Sequence, residues 1–249
     1  MRQFTVSLGL VSMVGMLCLW PAGTGANVPT LEPGFRAFDP GVSTCELVVA
    51  DLDNDDRADL VAASWQHPVI LWAGDNGLYS PQALTTGAAN RSVAVADFDE
   101  DGTPDLAVAN GGAESVDIWL GTGSGFTFLG FLDGVDGAYS IRSADFDADG
   151  HADLAVTNGL SGGFLAVGLG NGDGTFSKAA LHPAGNAPTD LEIADLNADG
   201  AADIVVANAD AGIPSVSVYI GAGDGSFLPS PQLVTGPPCF ALVVADFDG

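Results

Sequence analysis

The sequence predicts an all-β fold, a β-propeller of four-stranded blades with four full repeats and a truncated fifth. Three observations carry that expectation. An acidic motif recurs with first members Asp51, Asp97, Asp145, Asp195 and Asp246, at separations of 46, 48, 50 and 51 residues, and a period of this size signals a propeller, solenoid or array. Each repeat holds short apolar runs rich in small and β-branched residues, divided by glycine-rich turns. The repeats show no helical periodicity, which removes the helical solenoids; a parallel β-helix stays open as an alternative, though its coils are usually much shorter.

The 249-residue chain begins with Met1-Arg2, an apolar stretch to Trp20 and a run of small residues ending at Ala26. Residues 1–26 read as a secretory signal peptide cleaved after Ala26. Glycines and serines interrupt the apolar stretch and no basic stop-transfer flank follows it, so a membrane anchor is not expected. The remainder, 27–249, is expected to be the propeller, and it is long enough to bury a sizeable core. Residues 35–44 read as the outer strand of a preceding blade.

The elements of each repeat then follow in order. Behind the aspartate loop lies a run at 60–63, 106–110, 154–158 and 204–208. A third run at 69–72, 116–120, 164–169 and 216–220 is closed by Gly74, Gly121, Gly170 and Gly221. Glycine-rich turns supply the positive φ angles of tight hairpins. A fourth, less regular strand is expected to start at Tyr79, Phe126, Phe176 and Phe227. The sequence stops at Gly249, inside the fifth loop, so the expectation is an incomplete ring of the seven-bladed type, short by roughly two to three repeats.

Composition narrows the partners. Hydrophobic residues make up 47% and charged residues 15%, yet the net charge is −26. Such a chain is not a disordered acidic tail. It repels nucleic acid and anionic membrane, so neither nucleic-acid binding nor membrane insertion after signal removal is expected. The acidity is expected to be offset locally by a cation. Beyond the leader the cysteines are Cys45 and Cys239. A secreted chain permits a disulfide, but their place ahead of related loops reads as two small apolar residues.

The loops supply the chemistry. Carboxylates at positions 1, 3, 5 and 9, with glycine at 6, suit Ca²⁺, which takes six to eight oxygen ligands in an adaptable shell. Two carboxylates about 4 Å apart repel by roughly 4 kcal/mol at an effective dielectric near 20, so a compact empty loop is disfavoured. Hard oxygen donors without nearby Cys or His ligands favour Ca²⁺ over zinc or copper, and Mg²⁺ fits less well because it demands a smaller octahedron.

The expected ligands are Asp51, Asp53, Asp55 and Asp59 in loop 1, and Asp97, Asp99, Asp101 and Asp105 in loop 2. Loop 3 offers Asp145, Asp147, Asp149 and Asp153, and loop 4 Asp195, Asn197, Asp199 and Asp203. Position 7 adds a backbone carbonyl from Arg57, Thr103, His151 and Ala201, with the His151 ring left to solvent. Position 9 closes the site as a bidentate carboxylate. Loop 1 is the doubtful copy, because Asp56 replaces the glycine; loop 4 carries one charge fewer. An EF-hand is excluded because position 12 is Ala62, Val108, Val156 and Val206.

The Ala-Asp-Phe-Asp-x-Asp-Gly-x-x-Asp-Leu-Ala-Val strings around Asp97 and Asp145, with the later Gly-Asp-Gly-Thr-Phe, resemble FG-GAP/VCBS repeats. Such repeats form the propellers of integrin α-subunit heads and of many secreted bacterial proteins. The resemblance implies Ca²⁺ between the first two strands of a blade and an extracellular or cell-surface protein. It implies a binding, adhesion or structural module whose partner is an unknown protein or glycan. A polysaccharide-active enzyme is the alternative. It is disfavoured because His67, His151 and His182 do not recur at related positions or adjoin a nucleophile. A lectin is another, but Trp72, Trp119 and Tyr219 in the third strands are expected to pack in the core.

Overall fold

The computed structural model describes residues 44–74, 79–85, 89–112, 115–159, 162–209, 215–229 and 238–245. The expected leader, the outer strand expected at 35–44 apart from Thr44, and the fifth loop from Asp246 lie outside them. Among the described residues no helix is long and apolar enough to cross a membrane.

Four antiparallel four-stranded sheets follow one another along the chain. Blade 1 comprises β1 (Thr44–Ala50), β2 (Asp59–Ser64), β3 (Val69–Ala73) and β4 (Tyr79–Ala83). Blade 2 comprises β5 (Asn90–Ala96), β6 (Asp105–Asn110), β7 (Ser115–Gly121) and β8 (Phe126–Leu132). Blade 3 comprises β9 (Ala138–Ala144), β10 (Asp153–Asn158), β11 (Phe164–Gly168) and β12 (Ala180–Pro183). Blade 4 comprises β13 (Pro188–Ala194), β14 (Asp203–Asn208), β15 (Val216–Gly221) and β16 (Phe227–Pro229). The first strands touch in succession, β1 to β5 to β9 to β13, which makes them the inner strands of the propeller.

Pleating explains the core. On β6, Leu106 and Val108 pack towards blade 1 with Val61, Ile70 and Trp119, while Ala107 and Ala109 pack towards blade 3 with Ile141, Leu154 and Val156. A third layer joins Leu165 and Val167 of blade 3 to Leu191, Ile204 and Tyr219 of blade 4. Both faces of each second strand are therefore covered, and β6, β10 and β14 are buried at every residue. That is why these runs read as continuously apolar instead of alternating. Trp119 and Tyr219 are buried in these layers, and the half-buried Trp72 stacks on Phe126 across the blade 1–2 boundary.

The inner strands carry a repeated device. The register of the first strand pair shifts between Thr44 and Glu46, between Asn90 and Ser92, and between Pro188 and Asp190. Beyond the shift, a side chain accepts a backbone N–H of the next blade. Glu46 Oε2 accepts from Val93 at 3.1 Å, and Ser92 Oγ accepts from Ile141 at 3.1 Å. Asp190 Oδ2 accepts from Leu242 at 3.1 Å. Residues 238–245 thus lie against blade 4 where a fifth inner strand belongs, held also by Cys239 N to Asn208 O at 3.1 Å. Cys45 and Cys239 are free thiols.

One strand departs from expectation. β12 begins at Ala180 and not at Phe176, which makes only an isolated bridge to Gly170. The chain leaves the ladder in between, because Ala179 N turns to Asp133 O of blade 2 at 3.2 Å.

Candidate metal centre

Each aspartate loop links the first and second strands of its blade, and its curl follows from carboxylates accepting nearby backbone N–H groups. Position 1 takes the amide of position 6: Asp56 N to Asp51 at 2.9 Å, Gly102 N to Asp97 at 2.9 Å, Gly150 N to Asp145 at 3.1 Å and Gly200 N to Asp195 at 2.9 Å. Position 5 takes the amide of position 7: Arg57 N to Asp55 at 2.8 Å, Thr103 N to Asp101 at 2.7 Å, His151 N to Asp149 at 2.8 Å and Ala201 N to Asp199 at 2.8 Å. The curl drives position 6 to positive φ, 89° at Gly102 and 93° at Gly150. Asp56 accepts this at φ 65°, a left-handed conformation aspartate tolerates better than most residues.

Position 9 has a role that spacing did not reveal. Asp59, Asp105, Asp153 and Asp203 are fully buried. One oxygen of each accepts the position-2 amide, from Leu52 at 3.0 Å, Phe98 at 2.7 Å, Phe146 at 2.7 Å and Leu196 at 2.8 Å. The other accepts an amide at the end of the third strand, from Ala73, Gly121 and Gly170 at 2.7 Å and from Gly221 at 2.8 Å. The carboxylate therefore staples loop to blade; at Asp105 the loop-side oxygen accepts a second amide, from Asp99 at 3.3 Å, and the blade-side oxygen keeps a lone pair for a cation.

The loops differ in what they bring together. Ligand atoms of Asp51, Asp53 and Asp59 lie within 4.8 Å of one another, as do those of Asp97, Asp99 and Asp101 and those of Asp145, Asp147 and Asp153. Asp55, Asp105 and Asp149 stand outside these triplets; the Arg57 guanidinium contacts Asp55 directly. Loop 1, doubted for its Asp56, thus gathers its acids as loops 2 and 3 do. In loop 4 no such acidic triplet forms among the described residues, and Asn197 Nδ2 donates to Asp199 Oδ2 at 2.8 Å. The His151 ring is not simply solvated, because its Nδ1 lies 2.5 Å from Glu100 Oε1 of loop 2.

The donor set fits a hard divalent cation. All ligand atoms are oxygens, and Asp53 Oδ1 and Asp97 Oδ1 are buried without a hydrogen-bond partner, a condition that a bound ion relieves. Crowding shows in the acidities. Burial, together with the neighbouring acids Asp59, Asp55 and Asp51, pushes Asp53 above the usual carboxylate range. Burial pushes Asp105 and Asp153 up to about 6 despite their amide donors.

The sign of the pH effect follows. A folded pKa above the unfolded value means the folded state holds protons that the unfolded chain releases between about pH 4 and 6. Stability of the metal-free protein from these two groups is present below that window and lost as pH rises through it. Melting in chelator is expected at a higher temperature near pH 5 than near pH 7.5. A metal-free melting temperature that rises over that interval contradicts this assignment.

The geometry described matches known repeats. The model of the FG-GAP-like repeat matches residues 51–108, 97–156, 145–206 and 195–249. Among solved structures, a protein from Lactobacillus plantarum is 22% identical, with 78% of this chain and 57% of that one covered at a TM-score of 0.58. A candidate 6-phosphogluconolactonase from Bacteroides fragilis is 15% identical, with 82% of this chain and 59% of that one covered at a TM-score of 0.59. The chain thus spans less than two thirds of either structure, and at these identities the likeness is one of fold. No curated protein matches the sequence.

Proposed function

Because the chain belongs to the FG-GAP-like repeat family, we propose that it is a secreted, calcium-stabilised propeller acting as a binding, adhesion or structural module. The observation that carries the calcium reading is the convergence of three carboxylates in each of loops 1 to 3, with orphaned buried oxygens in two of them. Asp51, Asp53, Asp55 and Asp59 and their counterparts in loops 2 to 4 would hold the ions, with the position-7 carbonyls completing each shell. Bound Ca²⁺ supplies positive charge that offsets the acids of the loop.

A module that binds and does not catalyse agrees with where the histidines lie. His151 contacts Glu100, His182 packs on Tyr219 and Phe227, and the His67 carbonyl accepts the Ser64 hydroxyl at 2.6 Å. His151, in the aspartate loop of blade 3, and His182, on β12 of the same blade, have different partners, and His67 lies in blade 1. Burial lowers the pKa of His182 and so favours its neutral ring.

Calorimetric titration with Ca²⁺, paired with thermal melting in chelator, tests the reading. Several ions should bind, and chelation should lower the melting temperature by roughly 10 °C or more, since each degree-scale shift reports a fraction of a kcal/mol. An unchanged melting temperature in chelator overturns it. Turnover of a polysaccharide by this chain alone would favour the enzyme reading instead.

A further inference from the structure

We infer that the calcium loops of blades 1 to 3 load cooperatively through direct loop-to-loop contacts, while loop 4 loads on its own. The inference rests on the calcium reading above and adds a coupling to it.

The contacts run from position 4 of one loop to position 6 or 7 of the next. Asn54 Nδ2 donates to Gly102 O at 2.9 Å, joining loop 1 to loop 2. Glu100 Oε1 meets His151 Nδ1 at 2.5 Å, joining loop 2 to loop 3. Position 4 is held at positive φ in every loop, 59° at Asn54, 58° at Glu100, 59° at Ala148 and 60° at Ala198. This conformation belongs to the curled loop, so the side chain reaches its neighbour only when its own loop is ordered. Between loops 3 and 4 the corresponding residues are Ala148 and Ala201, whose methyl groups can form no such bond. There a cleft of about 440 Å³ opens instead, lined by Asp145, Ala148, Asp199 and Ala201 among others.

An ion that orders one loop also fixes the contact that its neighbour must form. The second ion then meets a partly ordered loop and pays less conformational entropy, which is positive cooperativity without a change of structure. Coupling between sites commonly amounts to 5-fold or more in affinity, roughly. Exposed contacts of this kind belong at the low end of that range.

Calcium chloride titrated into the full chain by calorimetry tests the inference in wild type, Glu100→Ala and Glu100→Gln. Alanine is compatible with the backbone there, since Ala148 and Ala198 occupy the equivalent place at the same φ. In wild type, loops 1 to 3 should fill in one steep phase ahead of a weaker, separate event in loop 4. Glu100→Ala should split that phase and weaken binding at loop 3 about 5-fold. Glu100→Gln keeps an acceptor for the His151 ring and should restore the steep phase.

Ala148→Glu combined with Ala201→His should install the missing link and draw loop 4 into the cooperative phase. Independent sites in wild type, identical isotherms for wild type and Glu100→Ala, or a Glu100→Gln variant as weak as the alanine would each overturn the coupling while leaving calcium binding intact. Absence of any calcium binding would overturn both.

Discussion

Asp105→Ala should destabilise blade 2 by about 3 to 5 kcal/mol even in chelator, where no cation contributes. Position and residue type alone give Asp105 one task, closing the second loop's site as a carboxylate. The structure gives Asp105 a second task. It is fully buried, and its oxygens accept amides from Phe98 at 2.7 Å, Asp99 at 3.3 Å and Gly121 at 2.7 Å. Alanine would leave those donors unpaired in the interior, at about 1 to 3 kcal/mol for each one that finds no water. Asn is not a repair, because its amide nitrogen would face one of the same N–H donors. Denaturant unfolding with and without Ca²⁺ separates the two tasks. A chelator-state loss under about 1 kcal/mol would mean that the carboxylate serves the cation alone.

Arg142→Leu should cost about 1 to 3 kcal/mol by leaving three partly buried carboxylates without their countercharge. Arg142 stands on β9 and gathers side chains from the inner strands of the other three blades. Its Nη1 lies 2.9 Å from Glu46 Oε1 on β1 and 3.4 Å from Ser92 Oγ on β5. Its Nη2 lies 3.6 Å from Glu192 and 3.7 Å from Asp190, both on β13. Burial works to lower the arginine's pKa, but Glu46, Glu192 and Asp190 together outweigh it and hold the value above the ordinary one. Pairing the substitution with Glu46→Gln should recover part of the loss, since one stranded charge is then removed. Equal stability of Arg142→Leu and wild type by denaturant unfolding would show that water already screens the acids.

Both effects mark where the sequence was legible and where it was not. Period, turn glycines and strand composition located each blade, because those signals are local. The ends of β6 and β10 fell where the apolar runs ended. β12 was misplaced because its start is decided by Ala179 bonding to Asp133 of the neighbouring blade, a contact outside any local window. The acidic positions that curl each loop were likewise legible from spacing inside one loop. Asn197 marked loop 4 as the copy with one charge fewer, but which acids converge in each loop was not legible, since that depends on Arg57 meeting Asp55 and on Asn197 turning its amide to Asp199. The role of Arg142 was not legible either, because its partners lie on three other strands up to about a hundred positions away.

The outer strands differ in how open they are to sheet extension by a second copy of the chain. A peripheral strand offers unpaired amides to any passing chain, and proline blunts that offer by removing a donor. Pro81 interrupts β4, and Pro183 and Pro229 terminate β12 and β16. β8 alone among the four has none, and it carries Phe128, Leu129 and Phe131 exposed along its length. Three rims are thus protected against sheet extension, and the fourth relies on the repulsion of a strongly acidic surface. Salt that screens this charge removes the remaining guard, so β8 is where aggregation of a destabilised variant would begin.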